Sequence, residues 1–322
     1  MLTRSILVLN IDNLRDLRKF SSAIAAATER TAERLLVIIF CERFNASTNL
    51  SHTQSWKEVQ TLLTCVYVET TRVAQEADRI LLDVDVLLRG LDAEEIPVKN
   101  DGWDHLFVIE GDSTNYPLPS WTSTLSIIAL SAQTPNNSET HVDEDAGTLT
   151  SLPSTFPVVA LGGTFDHLHS GHKILLSMAA WIAHEKVIVG VTDDKLLQKK
   201  SNKEVLESLA VRIERVYHFM EFFNPGLIYD IVPIDDVYGP TAVDPNIQAL
   251  VVSKETLGGA SAIAKFRKEK NFPALHCFVI DVISPTSANL EAEDMEMLRK
   301  AKMSSTFIRE WIMRKQAEPN KL

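Results

Sequence analysis

Three of the chain's nine histidines, His167, His169 and His172, fall within six residues. They close the stretch Leu161-Gly162-Gly163-Thr164-Phe165-Asp166-His167-Leu168-His169-Ser170-Gly171-His172. Glycine has no Cβ, so a glycine pair after a strand lets the backbone approach a ligand closely. A helix starting near His172 turns its first N–H groups and a partial positive charge towards an anion. His169 and His172 are three residues apart and share one face of a helical turn. Imidazole N–H groups on that face can donate to phosphoryl oxygens. Two other readings stay open: a glycine turn beside incidental histidines, and a metal pair. For the metal pair, no nearby Cys or Asp/Glu cluster completes a zinc set.

A second stretch, Lys302-Met303-Ser304-Ser305-Thr306-Phe307-Ile308-Arg309, stands just before the helical run EWIMRK. Hydroxyl residues at a helix start are ordinary caps, and taken alone that is the simpler reading. The same groups can present hydroxyls and backbone N–H to phosphate oxygens, with Arg309 one turn on.

Elements must hold these residues in place. FPVVA ahead of the glycine pair reads as a strand, and HKILLSMAAWIA at 172–183 as an apolar helix. KVIVGVT at 186–192, LIYDIVPI at 227–234, ALVVS at 249–253 and HCFVIDVI at 276–283 read as further strands. A helix is expected over 203–223, with Val205, Leu209, Ile213, Val216 and Phe219 on one face. This β-α-β order predicts an α/β fold with a doubly wound parallel sheet, whose ligand sits at the carboxyl ends of the strands.

The first half repeats the alternation without a chemical motif. Strands are expected at 5–11, 35–41, 80–88 and 105–111, and helices over 13–34 and 55–78. The 131–155 stretch, SAQTPNNSETHVDEDAGTLTSLPST, is polar and acidic and too poor in apolar residues to offset its ordering entropy. The expected organisation is therefore an N-terminal α/β domain over 1–130, a mobile linker over 131–155 and a second domain over 156–322.

With 322 residues the chain can bury a sizeable core, and 45% hydrophobic with 23% charged residues is ordinary for a soluble protein. A net charge of −11 argues against general nucleic-acid binding. It still allows an anionic small substrate, because local cations can oppose the global charge. Cys41, Cys65 and Cys277 are odd in number and far apart, which predicts reduced packing residues in a reducing compartment. MLTRSILVLNIDNLRDLRK has no long apolar core, and LLVIIFC at 35–41 is far too short to span a bilayer. A soluble protein of the cytoplasm or nucleus, with no membrane partner, is expected.

The two stretches together resemble the T/HxGH and ISSTxxR motifs of the nucleotidyltransferase superfamily, which also includes class I aminoacyl-tRNA synthetases. The wording LGGTFDHLHSGHKILL, with DDVYGPT at 235–241 and VVSKET at 251–256, resembles the eukaryotic and archaeal type of phosphopantetheine adenylyltransferase. The likeness covers about residues 156–315, with motifs in four places in the expected order.

The resemblance implies a Rossmann-like nucleotidyltransferase fold. It implies adenylyl transfer from ATP to 4′-phosphopantetheine, giving dephospho-coenzyme A and pyrophosphate. The transfer would be an in-line displacement without a covalent enzyme intermediate, so catalysis would be orientation and charge stabilisation. Mg²⁺ would be the cofactor, held on the ATP phosphates.

Thr164 stands where the family's threonine contacts the incoming phosphate, and His172 where the last histidine of HxGH binds ATP phosphates at the reacting centre. Gly162, Gly163, Phe165 and His169 would line the nucleotide. Lys195 falls where a family lysine orients the nucleophilic phosphate, with Lys199 and Lys200 as alternatives. Ser304, Ser305, Thr306 and Arg309 would hold the β- and γ-phosphates. Asp236, Tyr238 and Gly239 would border the pantetheine arm.

The bacterial branch carries an arginine pair after the fourth strand. Here Lys254 is the local cation at that place, with Lys265 and Arg267 as substitutes further on. His167 stands where many relatives have other residues and is read as incidental. No G-x-x-x-x-G-K-[ST] phosphate loop occurs, so a single activity is expected, with dephospho-coenzyme A kinase on a separate polypeptide in a fungal-like layout. Other coenzyme A-synthesising enzymes are candidate partners.

Two alternatives stand beside this reading. Cytidylyltransferases share GTFD and HxGH, but their second motif reads RTEGISTT. A non-catalytic scaffold subunit is the other, since the first half could dock partners.

Overall fold

Apolar runs alternating with amphipathic stretches fold into two parallel five-stranded sheets, each in its own unit, Met1–Ser154 and Thr155–Leu322. The structure is a computed structural model that describes residues 1–14, 16–94, 96–132, 152–280 and 303–318.

The first unit contains β1 (Leu2–Asn10), α1 (Ser21–Arg30), β2 (Thr31–Phe40), α2 (Trp56–Glu76), β3 (Asp83–Arg89), β4 (His105–Ile109) and β5 (Ser126–Leu130). Its strand order is β3-β2-β1-β4-β5, every pair parallel. Ile6 to Leu9 and Leu35 to Phe40 are wholly buried, so these central strands read as continuous apolar runs. The helix expected over 13–34 is shorter. Asp16–Phe20 is a 3-10 turn, α1 ends at Arg30, and Thr31 already begins β2. Parallel pairing with β1 and the bond from Arg34 to Asp85 (2.8 Å) draw this polar stretch into the sheet against its local pattern. At the unit's far end, the Thr53 N–H donates to the Ser154 carbonyl at 3.0 Å.

The second unit contains β6 (Phe156–Gly163), α3 (Ser170–Ile182), β7 (Ala183–Thr192), α4 (Leu209–Phe223), β8 (Ile228–Ile234), β9 (Ala249–Ser253), α5 (Leu257–Glu269), β10 (His276–Ile280) and α6 (Ser305–Ala317). The order is β10-β9-β6-β7-β8, again wholly parallel. The chain winds outwards from β6 through β7 to β8, then crosses to β9 on the other side of β6. The topological switch point is therefore at β6 and β9, the usual place for a ligand in such sheets. This is the doubly wound, Rossmann-like α/β fold.

α4 begins at Leu209, not 203: Lys203–Val205 makes one 3-10 turn, and Ser208 caps the helix by accepting from the Val211 N–H. The last three residues of the strand expected over 276–283, most of the 131–155 stretch, and Lys302 lie outside the described residues. The cysteines are free, but Cys277 is exposed on β10 and not a packing residue. Among the described residues, no helix is long and apolar enough to cross a membrane.

Candidate functional site

β6 delivers Gly162 and Gly163 to the carboxyl edge of the sheet, paired with Gly190 and Val191 of β7. A Cβ on Gly163 would lie 3.1 Å from the Phe165 ring, a tight contact to which the ring would have to yield. The turn that follows is strained, since Phe165 and His167 both take positive φ, 52° and 44°. Burial holds it in place. Phe165 is wholly buried, with its ring 5.2 Å from that of His172.

His169 is the extended N-cap residue of α3, and His172 sits in the first turn. Their rings stack at 3.9 Å between centroids. Both Nδ1 atoms are buried and have no hydrogen-bond partner among the described residues. Burial first, then electrostatic interaction with His167 and Lys173, push His169 down to about 3. Burial and His169 push His172 well below the usual histidine value. Both rings are therefore neutral at pH 7, each with one N–H and one lone pair.

Asp166, wholly buried, ties three segments together. Its Oδ1 accepts from the Glu207 N–H at 2.9 Å, and its Oδ2 from Arg309. Its carbonyl accepts from the Ser305 hydroxyl at 2.7 Å. Arg309 differs from the exposed phosphate ligand that the motif implies. It is 1% exposed and also donates to the Ser201 carbonyl (2.9 Å) and the Thr306 hydroxyl (3.2 Å). Ser304 is the N-cap of α6, accepting from the Phe307 N–H at 3.2 Å, and Thr306 is exposed. In this turn the capping reading holds for Ser304, while the Ser305 hydroxyl is turned to Asp166 and Thr306 is exposed.

Sequence reasoning missed Arg212. This wholly buried side chain on α4 donates to the carbonyls of Thr164 (2.7 Å), Thr192 (2.8 Å) and Glu207 (3.0 Å), and to Asp194. It clamps the exits of β6 and β7. The signal was present: Arg212 falls in the buried stripe Val216, Phe219, Met220 and Phe223, a charge where the helix phase calls for an apolar residue. His167 is not incidental either, because its N–H donates to Glu207 (2.9 Å) and its ring Nε2 meets the Val205 carbonyl at 2.7 Å.

The remaining predicted residues lie along the same carboxyl edge. Lys195, Lys199 and Lys200 are exposed on the segment after β7. After β8, the Asp236 carboxylate accepts from the N–H groups of Tyr238 (2.8 Å) and Gly239 (2.7 Å), shaping a turn. Gly239 has φ +47°, and a Cβ there would strike Ile234 at 2.8 Å. The Tyr238 ring packs on Phe266 at 4.9 Å. Lys254, exposed, follows β9 directly. The substitutes proposed for it stand differently. Lys265 is exposed on α5, whereas Arg267 is 1% exposed and bonds the carbonyls of Thr241, Asp244 and Pro273. Those bonds leave Arg267 a structural clamp, not a phosphate ligand.

Among the described residues, Asp166, His167 and Glu207 form a group close enough to share a metal ion. Its donors do not fit one. Both Asp166 oxygens accept N–H groups, Glu207 Oε2 accepts the His167 N–H, and Glu207 Oε1 pairs with Arg215 at 3.0 Å.

A family profile described as Cytidylyltransferase-like matches residues 160–311. Over 128 residues the chain is 38% identical to a phosphopantetheine adenylyltransferase of Methanopyrus kandleri, covering 40% of this chain and 80% of that protein. The chain belongs to the phosphopantetheine adenylyltransferase family. It is also 42% identical over 156 residues to the phosphopantetheine adenylyltransferase of Saccharomyces cerevisiae, covering 47% of this chain and 51% of the relative. An uncharacterized protein of Schizosaccharomyces pombe is 44% identical over 153 residues, 48% of this chain and 47% of its own length. The match thus spans about half the length of each yeast relative. Within the phosphopantetheine adenylyltransferase frame, every site residue from Gly162 to Arg309 lies inside the profile match. The first unit lies outside it.

Proposed function

We propose that the chain transfers the adenylyl group of ATP to 4′-phosphopantetheine, releasing pyrophosphate and dephospho-coenzyme A. The observation that carries this reading is the stacked, neutral His169–His172 pair at the head of α3, beside Gly162 and Gly163. Two buried ring nitrogens without a hydrogen-bond partner among the described residues stand there at a helix N-terminus, and such an end favours an anion.

A phosphate oxygen of 4′-phosphopantetheine attacks the α-phosphorus of ATP. That P–O bond forms as the bond to the β-phosphate bridging oxygen breaks, and pyrophosphate leaves with the electron pair. The nucleophile is already an anion at pH 7, so no group need remove a proton. His172 donates its ring N–H to the migrating phosphoryl group, and His169 buttresses that ring. Thr164 and Lys195 hold the incoming phosphate, with Lys199 and Lys200 on the same segment. Ser304, Ser305 and Thr306 receive the β- and γ-phosphates at the head of α6. Asp236, Tyr238, Gly239 and Lys254 border the pantetheine end. Bound with the triphosphate, Mg²⁺ would supply neutralisation of its charge; no residue set of this chain is assigned to it.

The test is pyrophosphate release by purified protein with ATP and Mg²⁺, comparing 4′-phosphopantetheine with phosphocholine and glycerol 3-phosphate, the latter two also with CTP. Release with ATP and 4′-phosphopantetheine alone is the expected result. Release with CTP would move the chain to the cytidylyltransferases. No release with any pair would favour a scaffold role.

A further inference from the structure

Asp166 has more contacts than a loop carboxylate needs. It is wholly buried, and its three oxygens reach segments far apart in the chain: Glu207 ahead of α4, and Ser305 and Arg309 of α6. Arg309, 143 residues away, is buried with it and extends the contact to the Ser201 carbonyl. Apart from these bonds, Ile308 is the only apolar side chain of α6 that is buried among the described residues. The Asp166–Arg309 pair and the Ser305 hydroxyl thus tie the first turn of the helix that presents Ser304 and Thr306 to the β6–α3 turn.

We infer that Asp166 and Arg309 are positioning residues: together they dock the first turn of α6 against the β6–α3 turn. Arg309 then acts on ATP through α6 and not as a phosphate ligand. A removed partner leaves the other charge buried without compensation, so either single loss should release the helix. The kinetic consequence rests on the adenylyl-transfer reading; the docking itself does not.

The experiment is a double-mutant cycle on the full chain with Asp166→Asn, Arg309→Lys and both together. The readouts are hydrogen exchange of amides 305–317, with α3 amides as internal reference, and the KM values for ATP and 4′-phosphopantetheine. Each single variant should speed α6 exchange and raise the KM for ATP by about tenfold, and the double variant should add little more. Exchange in α3 and the KM for 4′-phosphopantetheine should stay within about twofold.

Additive losses in the double variant would overturn the inference. So would an Asp166→Asn variant with wild-type α6 exchange, or a KM for ATP that moves with Arg309→Lys alone, the mark of a direct ligand. If Asp166→Asn does not fold, Ser305→Ala removes only the hydroxyl bond to the Asp166 carbonyl, and unchanged α6 exchange in that variant counts against docking. If the wild-type protein releases no pyrophosphate, the adenylyl-transfer reading fails, while the exchange cycle still decides the docking.

Discussion

At the residue scale, the histidine pair carries two predictions. His172→Ala should lower turnover by about 10²–10³ with the fold intact, the usual effect of losing one donor to developing charge. Turnover and circular dichroism of the purified variant check it, and activity within a few-fold of wild type would remove His172 from the mechanism. The second prediction concerns pH. An unfolded histidine titrates near 6.5, whereas burial holds folded His169 at about 3. Between those values the unfolded chain binds more protons. Stability is therefore complete above about pH 6.5 and falls as pH drops, by up to about 1.4 kcal/mol per pH unit for one such group. Urea midpoints at neutral and mildly acid pH should converge in His169→Gln relative to wild type, and an unchanged gap would show that the pH dependence lies elsewhere.

At the element scale, the site depends on how far apart the exits of β6 and β7 stand, and Arg212 sets that distance through the carbonyls of Thr164 and Thr192. Arg212→Met keeps an unbranched apolar stem but removes the guanidinium that donates to these half-buried carbonyls. It should cost about 3 kcal/mol, read as a lowered denaturant midpoint for the second unit. A loss under 1 kcal/mol would mean that water or a neighbour replaces the guanidinium (about one hydrogen bond's net worth).

At the scale of the whole molecule, the two units repeat one architecture with different contents. In the second, the carboxyl edge at the switch point carries glycine, histidine and a helix N-terminus. In the first, the segment after β4 returns over that edge: Asn10 bonds Thr114 at 3.1 Å, and the Tyr116 ring lies 4.8 Å from that of Phe40. The archaeal relative is matched over 80% of its own length by 40% of this chain, and the family profile lies wholly in the second unit. Residues 155–322 made alone should therefore fold and release pyrophosphate at a rate within about tenfold of the full chain. A folded but inactive fragment would assign the first unit a part in the reaction.

Much of this was legible in the residues themselves. Apolar runs bounded by turn residues marked nine of the ten strands among the described residues; β5, a five-residue edge strand with Ile127 65% exposed, carried no such pattern. The glycine–histidine stretch and the serine-rich helix start identified themselves by type and order, because phosphate chemistry needs backbone approach, donors and helix ends. The start of α4, the recruitment of residues 31–34 into β2 and the burial of Arg212, Arg267 and Arg309 could not be read that way. Each depends on an acceptor distant in sequence: a paired strand, a ring of carbonyls, or the carboxylate of Asp166. A local pattern states what a residue prefers, and only the packed chain decides which partner it meets, so sequence alone singled out the candidate residues while tertiary contact buried Arg212, Arg267 and Arg309 as clamps.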